Sequence, residues 1–131
     1  MRRRAILLTL LLALASACAH PGRDAGKLAN APTVDVTGSW AGTWTSDDKQ
    51  WSGQCRFDLK QSDTQVTGLL LMMGVLPMQP SGYIDGVVTK DQFSFSKGPV
   101  SAVLKVEGNT MRGPILGFPS PTTAVLYRVG P

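Results

Sequence analysis

The feature that most constrains the fold is a two-residue alternation between apolar or glycine positions and polar positions. It is clearest in residues 35–46, DVTGSWAGTWTS, where tryptophans and glycines share one parity. In residues 51–60, WSGQCRFDLK, the opposite parity is polar throughout. An alternation of period two is typical of a β-strand with one buried face. Because residues 34–131 contain no sustained helical period, the sequence predicts an all-β domain.

Turn-forming sequences divide this region into eight predicted strands. The turns include SDDKQ, SDTQ, TKD and GN, which are rich in residues that favour turns. A faint repeat, FDLKQSDTQVTG and LKVEGNTMRG, uses one hairpin design twice and predicts a meander in which each strand pairs with its predecessor. The predicted strands span 34–45, 51–61, 66–73, 83–89, 92–96, 100–107, 110–116 and 122–129.

An open sheet of eight strands would leave unpaired backbone groups at both edges, and closure removes them. Eight strands give a barrel interior that side chains can fill or that can hold one small ligand. We therefore predict a single eight-stranded antiparallel meander closed into a small barrel. On the inward parity, glycines such as Gly42 and Gly53 are expected to make room for the tryptophan rings.

The N-terminus has the order of a secretory signal: three arginines at positions 2–4, an apolar run over 5–15, then small residues. The run is shorter than the roughly 20 residues of a membrane-spanning helix. LASAC, residues 14–18, resembles the lipobox of bacterial lipoproteins, although Ala15 stands where that family more often has Leu. The resemblance implies a signal peptide over 1–17, a lipidated Cys18 with a flexible tether over 18–33, and a barrel domain over 34–131.

Lipoproteins of this class carry several acyl chains, and stable anchoring takes more than one. The resemblance therefore implies a permanent membrane anchor in the bacterial cell envelope. Ala19 rather than Asp follows the cysteine, which in the enterobacterial sorting pattern favours the outer membrane, facing the periplasm. The alternative is a secreted protein without lipid, in which Cys18 is removed or incidental.

The charged and chemically reactive residues argue against several functions. Without the three signal arginines the chain has 10 Lys and Arg against 9 Asp and Glu, so we expect no nucleic-acid surface. The single histidine, His20, lies in the tether, and the chain offers neither a nucleophile–histidine set nor metal-ligand spacing. We expect no enzyme, no metal and no cofactor.

Two cysteines in a secreted chain permit a disulfide. If Cys18 is acylated, Cys55 has no partner. Cys55 shares the parity of Trp51, Phe57 and Leu59, which predicts a small buried apolar residue rather than a reactive thiol.

GSW at 38–40, the eight-strand meander and Arg128 in LYRVG together resemble the lipocalin and calycin barrels. In those barrels a Gly-x-Trp motif lies at the closed end and a late arginine packs on the tryptophan. The resemblance implies that Trp40 is the closed-end ring and that Arg128 is its cationic cover.

The two ends of the predicted barrel differ. One end has short polar turns at 62–65, 89–91 and 107–109, whereas the other has longer, more apolar loops at 46–50, 74–80, 97–99 and 117–121. A wide apolar end predicts the mouth of a site for a small apolar or amphipathic ligand. Alternatively, the same side chains fill a solid core. The predicted ligand-binding residues are Trp44, Trp51, Met72, Ile84, Phe95, Ile115 and Phe118.

The outward parity of the third strand is apolar at Leu69, Leu71 and Met73, with Tyr83 and Val87 on the next strand. Exposed apolar stripes often mark an interface. Alternatively, the tether covers the stripe or a β-bulge shifts its register. The leading hypothesis is therefore a membrane-tethered binding module for a small apolar ligand. The alternative is an envelope interaction or inhibitor scaffold with a solid core, a use known from calycin-like periplasmic protease inhibitors.

Overall fold

The computed structural model describes residues 29–74 and 80–131. Eight antiparallel strands form a closed barrel in which each strand pairs with its predecessor and β8 pairs with β1. The predicted all-β meander and its closure are confirmed. The strands are β1 (Gly38–Ser46), β2 (Ser52–Ser62), β3 (Gln65–Gly74), β4 (Gly82–Thr89), β5 (Gln92–Lys97), β6 (Val100–Glu107), β7 (Thr110–Leu116) and β8 (Thr122–Gly130).

The predicted signal peptide, the lipidation site Cys18 and the tether histidine His20 lie outside the described residues, as does the 75–79 part of one predicted mouth loop. The bounds of β2 to β8 agree with the predicted strands to within one residue at either end. The turn sequences account for this agreement, because each polar turn ends the alternation on both sides.

The first strand begins later than predicted, at Gly38 rather than at residue 34. Residues 30–37, here called the base segment, lie across one end of the barrel. The Thr33 amide donates to the Lys90 carbonyl in the β4–β5 turn, at 2.9 Å, and the Val36 amide donates to Gln61 Oε1 of β2, also at 2.9 Å. Gly38 then turns the chain into β1 with a φ of 132°, a value that glycine adopts readily.

The side chains that line the barrel interior come from the positions predicted to face inward. Trp40, Trp44 and Phe93 are all 0% exposed. Phe57 packs edge-on against Phe95, with ring centroids 5.5 Å apart and planes at 79°, a geometry that aromatic pairs favour. Trp51 lies just before β2 instead of within it and is partly buried against the same core. The inward aromatic rings therefore converge, and the first and last strands meet.

Two inward glycines make room for rings, as predicted. A Cβ at Gly53 would overlap the Met73 carbonyl oxygen and lie 2.8 Å from Trp44 Cζ2, and one at Gly86 would lie 2.5 Å from Phe93 Cε2. Gly42 differs, because an added Cβ there would overlap the Val125 carbonyl oxygen of β8. At Gly42 the missing side chain allows two backbones to approach closely, and no ring is involved.

We expect Gly53→Ala to lower the free energy of unfolding by about 2 kcal/mol, because overpacking a filled core forces its neighbours to move. The matched control is Ser52→Ala, an exposed neighbour on the same strand, for which a change within about 0.5 kcal/mol is expected. Urea unfolding followed by tryptophan fluorescence measures both. Equal midpoints for the two variants would contradict this account of Gly53.

Candidate functional site

The closed end of the barrel is organised around Trp40. Its ring is fully buried, and its Nε1 donates a hydrogen bond of 2.9 Å to the Val36 carbonyl of the base segment. The Arg128 Cζ lies 4.3 Å from the Trp40 ring centroid, within the range of a cation–π contact. The two residues therefore meet as the calycin resemblance implied.

Arg128 also joins three parts of the chain. Its guanidinium donates to the Thr37 carbonyl and, at 2.8 Å, to the Asp35 carbonyl. Its Nε donates to Asn109 Oδ1 in the β6–β7 turn, at 3.2 Å. The base segment is thereby fastened to β8. Within the base segment, the Thr37 amide donates to the Asp35 carboxylate, and this bond lowers the pKa of the Asp35 carboxyl.

Gln61 completes the closed end from the β2 side. Its Oε1 accepts from the Val36 amide, and its Nε2 donates to the Val34 carbonyl at 3.2 Å. The partners of Gln61 and Arg128 at this end are mainly backbone groups of the base segment. We therefore assign this end a structural role.

The predicted ligand-binding residues all belong to one core or pack against it. Trp44, Met72, Ile84, Phe95 and Ile115 are each at most 5% exposed. Trp51 and Phe118 are partly buried against them, and Phe118 stacks on Trp44 with ring centroids 6.1 Å apart and planes at 19°.

These side chains leave little room between them. Any space large enough for a water molecule, whether enclosed or open, would give the side chains around it some accessible surface. A side chain with none therefore has no such space beside it. Trp44, Phe93 and Leu104, from three different strands, are all 0% exposed. An interior ligand would therefore have to displace described side chains, at the cost of their packing contacts.

The β1–β2 turn, at the end opposite the base segment, is held by a buried serine. Ser46 is 0% exposed, and its hydroxyl donates to Asp48 Oδ1 at 2.6 Å while accepting from the Trp51 amide at 3.0 Å. The Ser46 hydroxyl and then the Gln50 amide lower the pKa of the Asp48 carboxyl. This network orders the turn that carries Trp51.

Apolar side chains follow the outside of β3 and β4. Leu69, Leu71 and Met73 are exposed by 43%, 44% and 43%, and Tyr83 and Val87 by 81% and 39%; these five residues are here called the outer apolar row. Leu69 pairs directly with Tyr83. β3 pairs with β2 and with β4 without a register shift, so the alternative of a β-bulge is wrong. The described residues 29–37 leave the row exposed.

A groove of about 570 Å³ lies beside the row, on the outside of β1 to β4. Gly38 and Gly68, which have no side chains, contribute to its lining, and Leu69 and Tyr83 lie on one side of it. Asp58 and Lys60 also line the groove. The Ser39 hydroxyl donates to Asp58 Oδ1 at 2.6 Å, and this bond is the main cause of the lowered pKa of the Asp58 carboxyl.

The groove was not predicted from the sequence. It depends on which residues of β1 to β4 lie side by side, and local periodicity does not show this.

The described residues offer little reactive chemistry. Cys55 is a free, buried cysteine, and burial raises the pKa of its thiol to about 12, so the thiol stays protonated and unreactive near neutral pH. Within residues 29–74 and 80–131, no three His, Cys, Asp or Glu side chains come together as a metal site. The same residues contain no helix long and apolar enough to cross a membrane.

Comparisons of the chain with family models, curated proteins and solved structures found no match. The closed eight-stranded antiparallel barrel is consistent with a calycin-like fold.

We expect Arg128→Ala to lower the free energy of unfolding by about 3 kcal/mol, because it removes charge-assisted hydrogen bonds and the contact with Trp40. Arg112→Ala is the control, since Arg112 is exposed on β7 and should change stability by less than about 0.5 kcal/mol. Thermal and urea unfolding measure both. Equal stability of the two variants would show that Arg128 does not fasten the closed end.

Proposed function

We propose that this protein is a membrane-tethered interaction module of the bacterial cell envelope, and that a protein partner binds its outer apolar row. One observation carries the proposal: the described core is filled with side chains, while large apolar side chains face outward together on β3, with Tyr83 of β4 beside Leu69. In this reading the barrel is a rigid scaffold, and its outer surface performs the function.

The composition of the outer row fits a protein interface better than an ordinary solvated face. Tyr83, the most exposed large apolar side chain of the described residues, lies beside Leu69, and charged Arg56 and Asp58 border the row from β2. An apolar centre with an aromatic anchor and a polar rim is the usual anatomy of protein interfaces. Contiguous exposed apolar patches on small proteins commonly mark such sites.

The proposed anchor is the acylated Cys18, which the lipobox resemblance implies. The tether would join the domain at its closed end, because Thr33 bonds to Lys90 in the β4–β5 turn there. The outer row runs along the side of the barrel, so a partner could approach it parallel to the membrane. The outer membrane, facing the periplasm, remains the expected location.

Binding of a small apolar ligand inside the barrel stays a prediction. The seven residues proposed for it are largely or partly buried against one another, which favours the scaffold. Both proposals can be tested on the same protein.

We expect Leu71→Lys combined with Met73→Lys to weaken partner binding at least tenfold, because two charges would be buried in an apolar contact. The matched control is Val103→Lys on the outside of β6, since Val103 is 44% exposed, as is Leu71. The measurement is cross-linking in intact envelopes followed by pull-down, with circular dichroism to confirm folding. Unchanged capture by the folded double variant would overturn the proposal.

We expect no saturable change in tryptophan fluorescence when the protein is titrated with fatty acids or lysolipids, because Trp40 and Trp44 have no accessible surface. A saturable change with one ligand per chain would instead support the interior site. Trp44→Phe would then identify the responding ring.

We expect Cys18 to incorporate an alkyne-labelled fatty acid during growth, and Cys18→Ser to abolish both the label and the membrane association. Cys55→Ser is the control and should keep the label, because Cys55 is buried in the barrel. A labelled Cys18→Ser variant, or an unlabelled natural chain, would contradict the anchor.

A further inference from the structure

Tyr83 and the groove form a projection and a recess on the same outer surface. The Tyr83 side chain is 81% exposed, whereas the Leu69 side chain beside it is 43% exposed. The groove of about 570 Å³ begins at these two residues and extends over β1 and β2. Its lining includes the backbone of Gly38 and Gly68 between the outward side chains of Asp58, Lys60 and Thr67.

The two charged side chains that line the groove, Asp58 and Lys60, have opposite signs. Asp58 and Lys60 lie two residues apart on the outer parity of β2, and both line the groove. Lys60 has no ion-pair partner among the described residues, whereas Asp58 Oδ1 lies 3.5 Å from Arg56 Nη2. A binding surface that presents one acidic and one basic group side by side can pair with an identical surface after a two-fold rotation.

We propose that the occupant of this surface is a second copy of the chain. The inference rests on the proposed function, because it names the partner of the same outer row. In a two-fold dimer each Tyr83 enters the groove of the other copy, and Asp58 of one copy faces Lys60 of the other. The same patch then serves as projection and recess on both sides, as an isologous interface requires.

The charge of the domain also favours a second copy. Residues 29–131 carry equal numbers of acidic and basic side chains, so two domains have no net charge repulsion to overcome. A strongly basic surface would have favoured an anionic lipid, but the charges bordering the row alternate in sign, as Arg56, Asp58 and Lys60 show.

Cysteine cross-linking of the full chain in membranes tests the inference. Leu69→Cys places a thiol in the proposed interface, and Thr67→Cys, also on the groove wall, is a second reporter that keeps the leucine. Val103→Cys is the matched control, because Val103 is 44% exposed on β6. Mild oxidation and non-reducing electrophoresis should give a dimer at least fivefold more abundant for either reporter than for the control. Cys55 is buried and contributes no background.

Two further variants identify the contact. Adding Tyr83→Ala to Thr67→Cys should reduce the dimer at least fivefold. Asp58→Lys should reduce it similarly, and the double reversal Asp58→Lys with Lys60→Asp should restore it. Restoration by residues of the same chain is specific to a self-complementary interface.

The outcomes separate this inference from the proposed function. Reporter dimers no more abundant than the control dimer would overturn self-association. If the reporters instead join a protein of different mass, self-association is wrong, while partner binding through the outer row stands. If cross-linking fails and Leu71→Lys with Met73→Lys also leaves partner capture unchanged, both proposals are wrong.

Discussion

The structure depends on the pairing of β1 with β8. β1 pairs with β2 on its other side, so the same short strand joins the first hairpin to the last. Without this pairing the sheet would be open, with two unpaired edges and a core exposed along the seam. Two features support the seam: near its middle Gly42 lets the β8 backbone approach closely, and at one end Arg128 fastens β8 to the chain just before β1.

The alternation and the turn residues were enough to predict the strands, their order and which parity of most strands faces inward. The start of β1 could not be predicted in this way, because residues 34–37 continue the alternation although they lie across the barrel end. Their course is determined by Gln61 and Arg128, which bond to their backbone groups from distant parts of the sequence. Local periodicity contains no information about such partners.

The candidate site was predictable in part. Leu69, Leu71 and Met73 were expected to face outward from parity alone, and they do. Whether the interior was hollow or filled could not be derived, because it depends on rings such as Phe57 and Phe95 meeting across strands that are not neighbours. Packing density is a property of the assembled core, and small differences in side-chain volume decide it. Because the core is filled, the outer surface of the barrel is the more favourable place for a binding site.

If the proposed anchor at Cys18 holds the domain at a membrane, the base segment has a mechanical consequence. A force applied through the tether would reach the barrel near residue 30, before β1 begins. There the base segment is hydrogen-bonded to Lys90 of the β4–β5 turn, to Gln61 of β2 and to Arg128 of β8. The load would be divided among several hydrogen bonds that must break together. The hydrogen bonds of the closed end would therefore bear the force before it reaches β1, and they would protect the β1–β8 pairing from being separated.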